Sequence, residues 1–345
     1  MKTYTAAVIG CGRPSLGVDA NMQGFAIAYA HGEAYRNHPR IRLAAAADIS
    51  EENATAFAEH YRIPATYQDY QTMLAKEKPD IVSICTWPTL HQEMVCQAAL
   101  AGVRMIWCEK PMAVGIDEMD RMVHVCQEQG VRLYVNHQRR YDWHYRVTRK
   151  MIDDGVLGKI ERLEGWVGSG WDLMSWGTHW VDMHRFLMHD ADVQWVVASA
   201  PYDGQIRYGH PVEKHMLLQF QFVNETISLI HLGNHLESMG VRVIGSDGSV
   251  TLSNGAEKFV IQHRHCPGEL QAKYLEGVPP INGMDAALLD IIDSFENNKP
   301  AEIDGSNGLR SSEIVMAAYQ SSVRREKLEL GQLDRTFHLL KDYIR

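Results

Sequence analysis

Between Tyr4 and Asn136, short apolar runs alternate with segments of helical period, a pattern that few folds accept. The runs are residues 6–9, 43–47, 81–85, 103–107 and 131–135. Between them apolar residues recur at three-four spacing, as in Met94, Val95, Ala98 and Ala99 after His91, and Met119, Met122, Val123 and Cys126 after Asp117. Strands that alternate with helices make a parallel sheet with right-handed crossovers. Residues 1–136 therefore read as a doubly wound α/β domain.

The texture changes after Asn136. Met216, Leu218, Phe220 and Phe222 alternate with Leu217, Gln219 and Gln221, the period of a sheet with one face more apolar than the other. Further strand-like runs cover residues 193–198, 226–231, 241–244 and 259–262, with turn signals at Ser246-Asp247-Gly248 and Asn254-Gly255. Helical segments at 285–296 and 309–323 follow, the first stopped by Asn297-Asn298-Lys299-Pro300. Residues 137–345 thus read as an α+β domain with a mainly antiparallel open sheet. A chain of 345 residues suits two domains at roughly 150 residues each.

Composition excludes several function classes. With 34 basic and 43 acidic residues the net charge is −9 and no basic stripe exists, so nucleic acid is not an expected partner. No apolar run reaches the roughly 18 residues of a membrane span, and Met1-Lys2-Thr3-Tyr4 passes straight into a strand, which reads as cytoplasmic. The six cysteines include no pair two residues apart, which argues for buried free thiols over a zinc ribbon. His179, His184 and His189 advance about 140° per step on a helix and do not converge, and His263-Arg264-His265-Cys266 lacks an assignable carboxylate, so no metal is expected.

Chemistry-bearing motifs gather at the carboxyl ends of the first-domain strands. Gly10-Cys11-Gly12 ends strand 1, where glycine permits a tight turn and close approach of a dinucleotide pyrophosphate; a plain strand-to-helix turn would use the same residues. Pro14-Ser15 follow in place of a third glycine, and the inserted loop 13–23 delays the helix to about Gly24. Asp48 ends strand 2 and can accept from a ribose 2'-hydroxyl while repelling a 2'-phosphate, favouring NAD over NADP; Ser50 is the better helix cap, which leaves Asp48 for that role. Thr86-Trp87-Pro88 and Glu109-Lys110-Pro111 end strands 4 and 5, where ligands of open α/β sheets bind. A lysine at that place can donate to a substrate hydroxyl or help relay its proton.

These motifs, with His91, Asn136, Gly177-Thr178-His179-Trp180-Val181-Asp182, Gly245-Ser246-Asp247-Gly248-Ser249 and Gly305-Ser306-Asn307-Gly308-Leu309, resemble the glucose-fructose oxidoreductase / inositol dehydrogenase / MocA family over nearly the whole chain. The resemblance implies an N-terminal Rossmann domain, a cis Lys110–Pro111 peptide, and Lys110 and His179 at the reacting carbon. It places Gly10, Cys11, Gly12, Asp48, Thr86, Trp87, Pro88, His91, Glu109 and Lys110 around the cofactor, and matches His31 to a histidine of the first helix, with Ala28 in the place of the third glycine. Relatives of this kind form dimers or tetramers, here through the second-domain sheet.

One position departs from the family. Four residues before His179 the family has an acid or hydroxyl, often Asp, whereas this chain has Ser175. On an α-helix Asp172, Ser175 and His179 share a face and Asp182 lies three residues on, so either aspartate could take the missing charge. Asp172, Ser175, Trp176, Arg140 and Asp182 are the substrate-side candidates. Trp166, Trp171, Trp176 and Trp180, four of eight tryptophans, surround His179 in sequence, as a sugar-stacking pocket or as packing aromatics would. The expected activity is NAD(P)-dependent oxidation or reduction of a sugar, polyol or sugar derivative, with NAD the favoured cofactor and NADP the lesser one. Glycoside cleavage through transient oxidation, and a cofactor-binding regulator that lacks the reaction, are the alternatives.

Overall fold

The computed structural model describes residues 2–12, 27–168, 170–253, 258–264, 270, 273–274 and 282–344. The chain divides into two compact units. The first holds Met1–Gln138, Arg207–His210 and Gly283–Leu309, the second Arg139–Ile206, Pro211–Asn282 and Arg310–Arg345.

In the first unit β1 (Tyr4–Ile9), β2 (Ile41–Ala47), β3 (Ala65–Tyr67), β4 (Ile81–Ile84), β5 (Met105–Cys108) and β6 (Arg132–Val135) form one sheet in the order β3-β2-β1-β4-β5-β6. Every pairing is parallel. All residues of β4 and β5 are buried, which is why these strands read as unbroken apolar runs: crossover helices cover both faces. The crossovers are α1 (Ile27–Asn37), α2 (Glu51–Tyr61), α3 (Tyr70–Glu77), α4 (Pro88–Leu100) and α5 (Ile116–Glu128), and α8 (Gly283–Glu296) also belongs to this unit. Ser50 caps α2 by accepting from the Asn53 amide, as expected, and Asp69 caps α3. Only the three-residue β3 left no apolar run to read. Strand order reverses between β1 and β4, the switch point at which a doubly wound sheet opens a crevice.

The second unit is built on an eight-stranded sheet of β7 (Ile160–Val167), β8 (Val193–Ser199), β11 (His215–Phe222), β12 (Ile227–Gly233), β13 (Met239–Gly245), β14 (Gly248–Ser253), β15 (Lys258–His263) and β16 (Leu328–Glu329). Its order is β15-β14-β13-β7-β12-β11-β8-β16, antiparallel except for the β7–β12 pair, so the expectation of a mainly antiparallel open sheet holds. Two short strands, β9 (Tyr202–Arg207) and β10 (His210–Glu213), pair separately. In β11 the even-numbered residues Met216, Leu218, Phe220 and Phe222 are buried, as their period predicts. Sequence reading missed β7, a central strand, because Glu161, Arg162, Glu164 and Gly165 break its apolar pattern.

Helices α6 (Trp143–Asp153), α7 (Thr178–Leu187) and the part of α9 (Gly305–Arg324) beyond Leu309 complete this unit. Every residue of α7 is buried. Gly165 of β7 explains how it lies so near the sheet: a Cβ there would stand 2.8 Å from Trp180 Cδ1 and 3.1 Å from His184 Nε2. Trp180 Nε1 also donates to the Gly240 carbonyl at 2.7 Å, anchoring α7 to β13. Loop 13–26, Asn254-Gly255, His265 and Cys266 lie outside the described residues. Among the described residues no helix is long and apolar enough to cross a membrane.

Candidate active site

The turn after β1 has the backbone that its glycines permit. Gly10 adopts φ +85° and Gly12 φ +60°, and a Cβ on Gly10 would meet Thr86 Cγ2 at 2.7 Å and the Cys85–Thr86 backbone at 3.0 Å. Gly10 therefore packs closely against the end of β4, at the switch point. Asp48 is not left over, as Ser50's capping role suggested. Its Oδ2 accepts from the Cys11 amide at 2.8 Å and the Gly12 amide at 3.2 Å, and its Oδ1 from the Ser50 amide at 2.8 Å. A carboxylate offers about four lone-pair sites, so about one remains for a ribose hydroxyl. The glycine turn and its pinned acid fit a dinucleotide: a bare backbone for the phosphates and a carboxylate at the sugar position.

Next to Lys110 lies a buried polar network. Glu109 Oε1 accepts from His31 Nε2 at 2.9 Å and Asn136 Nδ2 at 2.5 Å, while Oε2 takes the Lys110 amide at 3.2 Å. Trp107 Nε1 donates to Asn136 Oδ1 at 3.1 Å, and His31 Nδ1 meets Ser83 Oγ at 2.8 Å. Burial works to raise the Glu109 pKa, but His31, Lys110 and Asn136 outweigh it and hold the carboxyl below its usual range. An ionised Glu109 thus interacts with the Lys110 charge. With both oxygens engaged and 4% exposure, Glu109 holds His31, Asn136 and the Lys110 amide together at the end of β5.

His91 is buried as well. It is 0% exposed, and its two ring nitrogens face the Pro111 and Thr86 carbonyls at 3.0 Å each. It ties the loop after β4 to the loop after β5, so its role is to position both. The Lys110–Pro111 peptide between them is cis, as the resemblance implies. Trp87 and Pro88 start α4 beside the switch point, with Trp87 40% exposed.

The second unit carries the histidine. Residues 172–179 do not form the continuous α-helix that the sequence suggested. Asp172 caps a π-turn, Leu173–Gly177, that runs into α7; its Oδ1 accepts from the Ser175 amide at 2.8 Å, and the Gly177 amide donates to its carbonyl at 3.0 Å. The wider turn presents Trp176 edge-on to His179 with ring centroids 6.3 Å apart, and Trp171 lies 5.0 Å from Trp176. Trp180 and Trp166 are packing residues, Trp166 Nε1 donating to Ser238 Oγ at 3.0 Å.

Arg140 and Asp182, expected on the substrate side, are instead paired in the core. Arg140 Nε and an Nη donate to Asp182 at 2.8 Å each, and its Nη atoms reach Asp190 at 2.7 and 2.9 Å; both Arg140 and Asp182 are 1% exposed. Ser311 Oγ also donates to Asp182 Oδ1 at 2.7 Å. Asp182 is thus held by Arg140 and Ser311. Asp172 is the acid that remains close to Ser175.

Sequence reading missed Glu213. The Leu173 amide donates to its Oε1 at 2.6 Å and Tyr319 Oη to its Oε2 at 2.8 Å, so it holds the first residue of the π-turn. Burial and the nearby Asp172 push its pKa up to about 8; Tyr319 and Tyr343 are the other titratable groups that interact with it. A carboxyl whose pKa rises from 4.5 to about 8 on folding contributes stability that is complete below about pH 4.5 and lost as pH rises through 8. Glu213→Gln keeps the neutral shape, so the fall in melting temperature between about pH 5 and about pH 8 is expected to flatten. An unchanged slope in calorimetric scans would remove Glu213 from that role.

Comparison with known proteins agrees with this architecture. Residues 20–137 match the model of the oxidoreductase family with an NAD-binding Rossmann fold, and residues 162–330 match that family's C-terminal alpha/beta domain. The chain belongs to the Gfo/Idh/MocA oxidoreductase family. It is 24% identical to the D-apiose dehydrogenase of Paraburkholderia graminis, over 97% of this chain and 92% of that one. It is 22% identical to the myo-inositol 2-dehydrogenase of Thermotoga maritima, over 84% and 92%. The crystal structure of the WlbA dehydrogenase of Bordetella pertussis with NADH and UDP-GlcNAcA shares the fold, with TM-score 0.79 and 20% identity over 95% of this chain and 98% of that one.

Proposed function

We propose that this oxidoreductase transfers a hydride between NAD and a hydroxyl or keto carbon of a sugar or polyol. The observation that carries the reading is Lys110, set by the Glu109–His31–Asn136 network at the end of β5, in the same unit as a glycine turn pinned by Asp48. The sugar and polyol dehydrogenases among its relatives support the substrate class. When bound, the dinucleotide supplies a two-electron hydride acceptor or donor. Gly10, Cys11 and Gly12 lie along its phosphates, Asp48 takes a ribose hydroxyl, and Thr86, Trp87 and Pro88 border it. Lys110 donates to the substrate oxygen. His179 accepts the proton released on oxidation, a task suited to an imidazole near neutral pH. Asp172, Ser175 and Trp176 contact the sugar. A cytoplasmic setting belongs to the same reading, as does self-association through the second sheet, where Leu217 and Val260 stand about half exposed.

A panel of sugars, inositols and sugar derivatives, each with NAD and NADP in both directions, tests the proposal through the near-ultraviolet absorbance of the reduced nicotinamide. Turnover is expected with NAD preferred by at least about tenfold. Asp48→Ala should narrow that preference and weaken both cofactors, because it removes the ribose acceptor and releases the Cys11 and Gly12 amides. A preference for NADP in the wild type would overturn the role of Asp48. Absence of turnover across the panel would overturn the activity.

A further inference from the structure

The second unit contains a cation that none of its described residues neutralises. Arg139 is half-buried, with its guanidinium carbon 5.2 Å from the ring centroid of Trp176 and 5.3 Å from that of Trp180. The His179 ring stands edge-on to Trp176, with ring centroids 6.3 Å apart. Among the described residues no carboxylate lies within ion-pair distance of Arg139, and its buried Nε has no hydrogen-bond partner.

Neighbouring charges are handled differently. Arg140 is matched by Asp182 and Asp190, and Arg185 also reaches Asp190. Asp172 caps the π-turn, and Glu213 holds the Leu173 amide. Asp142, on the same segment as Arg139, feels its charge without pairing to it; burial raises the Asp142 pKa to about 6. His144 is pushed down to about 4 by burial and by Arg139, so it adds no positive charge near neutral pH. Tyr145 is the other titratable group affected by Arg139.

Taking a guanidinium partly out of water is costly unless an anion compensates it. The two indole faces offset part of that cost. They also fix the planar fork in place, as bidentate recognition of a carboxylate or phosphate requires.

We infer that Arg139 is a specificity residue that receives the anionic group of an acidic sugar, a carboxylate or a phosphate, beside Trp176 and His179. The inference rests on the sugar oxidoreductase reading and narrows its substrate class. A chain of net charge −9 repels such a substrate in general, so one local cation has a large part in selecting it.

The test uses the full chain saturated with NADH and calorimetric titration with matched pairs. These are uronates and aldonates against the neutral aldoses, and aldose phosphates against the same aldoses. At least one acid is expected to bind about tenfold or more tightly than its neutral counterpart, with the margin shrinking as salt is raised. The carboxylate and phosphate arms show which group is selected. Arg139→Met should abolish the margin and Arg139→Lys should retain part of it, which separates lost charge from lost folding.

If no acid outbinds its neutral counterpart, or if the margin survives Arg139→Met, the inference is overturned. Turnover of the same panel separates this from the parent reading. Acid-selective binding without any change in nicotinamide oxidation state supports Arg139 and sinks the dehydrogenase. Turnover of neutral sugars without acid preference does the reverse.

Discussion

Lys110→Ala is expected to lower kcat by roughly a hundred- to ten-thousand-fold, the range that a positioned proton-transfer group contributes. The backbone at this position is held without the lysine side chain. Its amide donates to Glu109 Oε2, and Glu109 is fixed by His31 and Asn136. The loss should therefore fall on turnover, with NADH affinity by fluorescence titration changed much less. Lys110→Arg separates two functions of the ammonium. Arginine keeps the positive charge near Glu109 but does not give up a proton, so it should rescue substrate binding more than kcat. His179→Ala should cause a loss of similar order, from a site that the π-turn and α7 set independently of the Glu109 network. Turnover within about threefold of wild type in both alanine variants would sink the assignment, since threefold lies below the smallest effect of such a group.

Arg140→Met should cost the second unit about 3–5 kcal/mol, the penalty for leaving a buried ion-pair partner uncompensated. Burial alone would lower the Arg140 pKa, yet Asp182 and Asp190 keep it raised, so the guanidinium stays charged. Its removal leaves Asp182, 1% exposed, with Ser311 but without the paired cation. Asp190 is 30% exposed in its side chain and can turn to water, so Asp182 dominates the cost. At roughly 2–4 °C per kcal/mol, a fall of about 6–20 °C in the melting temperature of that unit is expected in calorimetry. Arg140→Met combined with Asp182→Leu should recover much of the loss, because an apolar pair of similar volume carries no desolvation penalty. A loss below about 1 kcal/mol would mean that the pair behaves as a surface salt bridge. Since α7 carries both His179 and Asp182, the single variant should also reduce activity, which the double variant partly restores.

These outcomes bear on how much the chain discloses before it folds. The strands of the first unit were legible because a sheet covered on both faces needs apolar runs, and the helices because one face of each must be apolar. The glycine turn at residues 10–12 was legible through its place after β1, and Asp48 through its place at the end of β2. By contrast β7 stayed hidden, since Glu161, Arg162 and Glu164 obscure its pattern although it is central in the sheet. The π-turn was hidden too: its wider winding depends on Asp172 capping and Glu213 holding Leu173, which no helical period foretells.

Periodicity and spacing are local properties, and by themselves they determined the fold class, while the resemblance of the motifs gave the family. Whether a polar residue faces a ligand or the core depends on partners far away in the chain. Only the tertiary structure paired Arg140 with Asp182 and Asp190, Glu109 with His31 and Asn136, and His91 with two backbone carbonyls. It left Arg139, adjacent in sequence to Arg140, over two indoles with no such partner among the described residues. Two neighbouring arginines thus acquire opposite roles, because charge compensation is set by proximity in space and sequence patterns report only proximity along the chain.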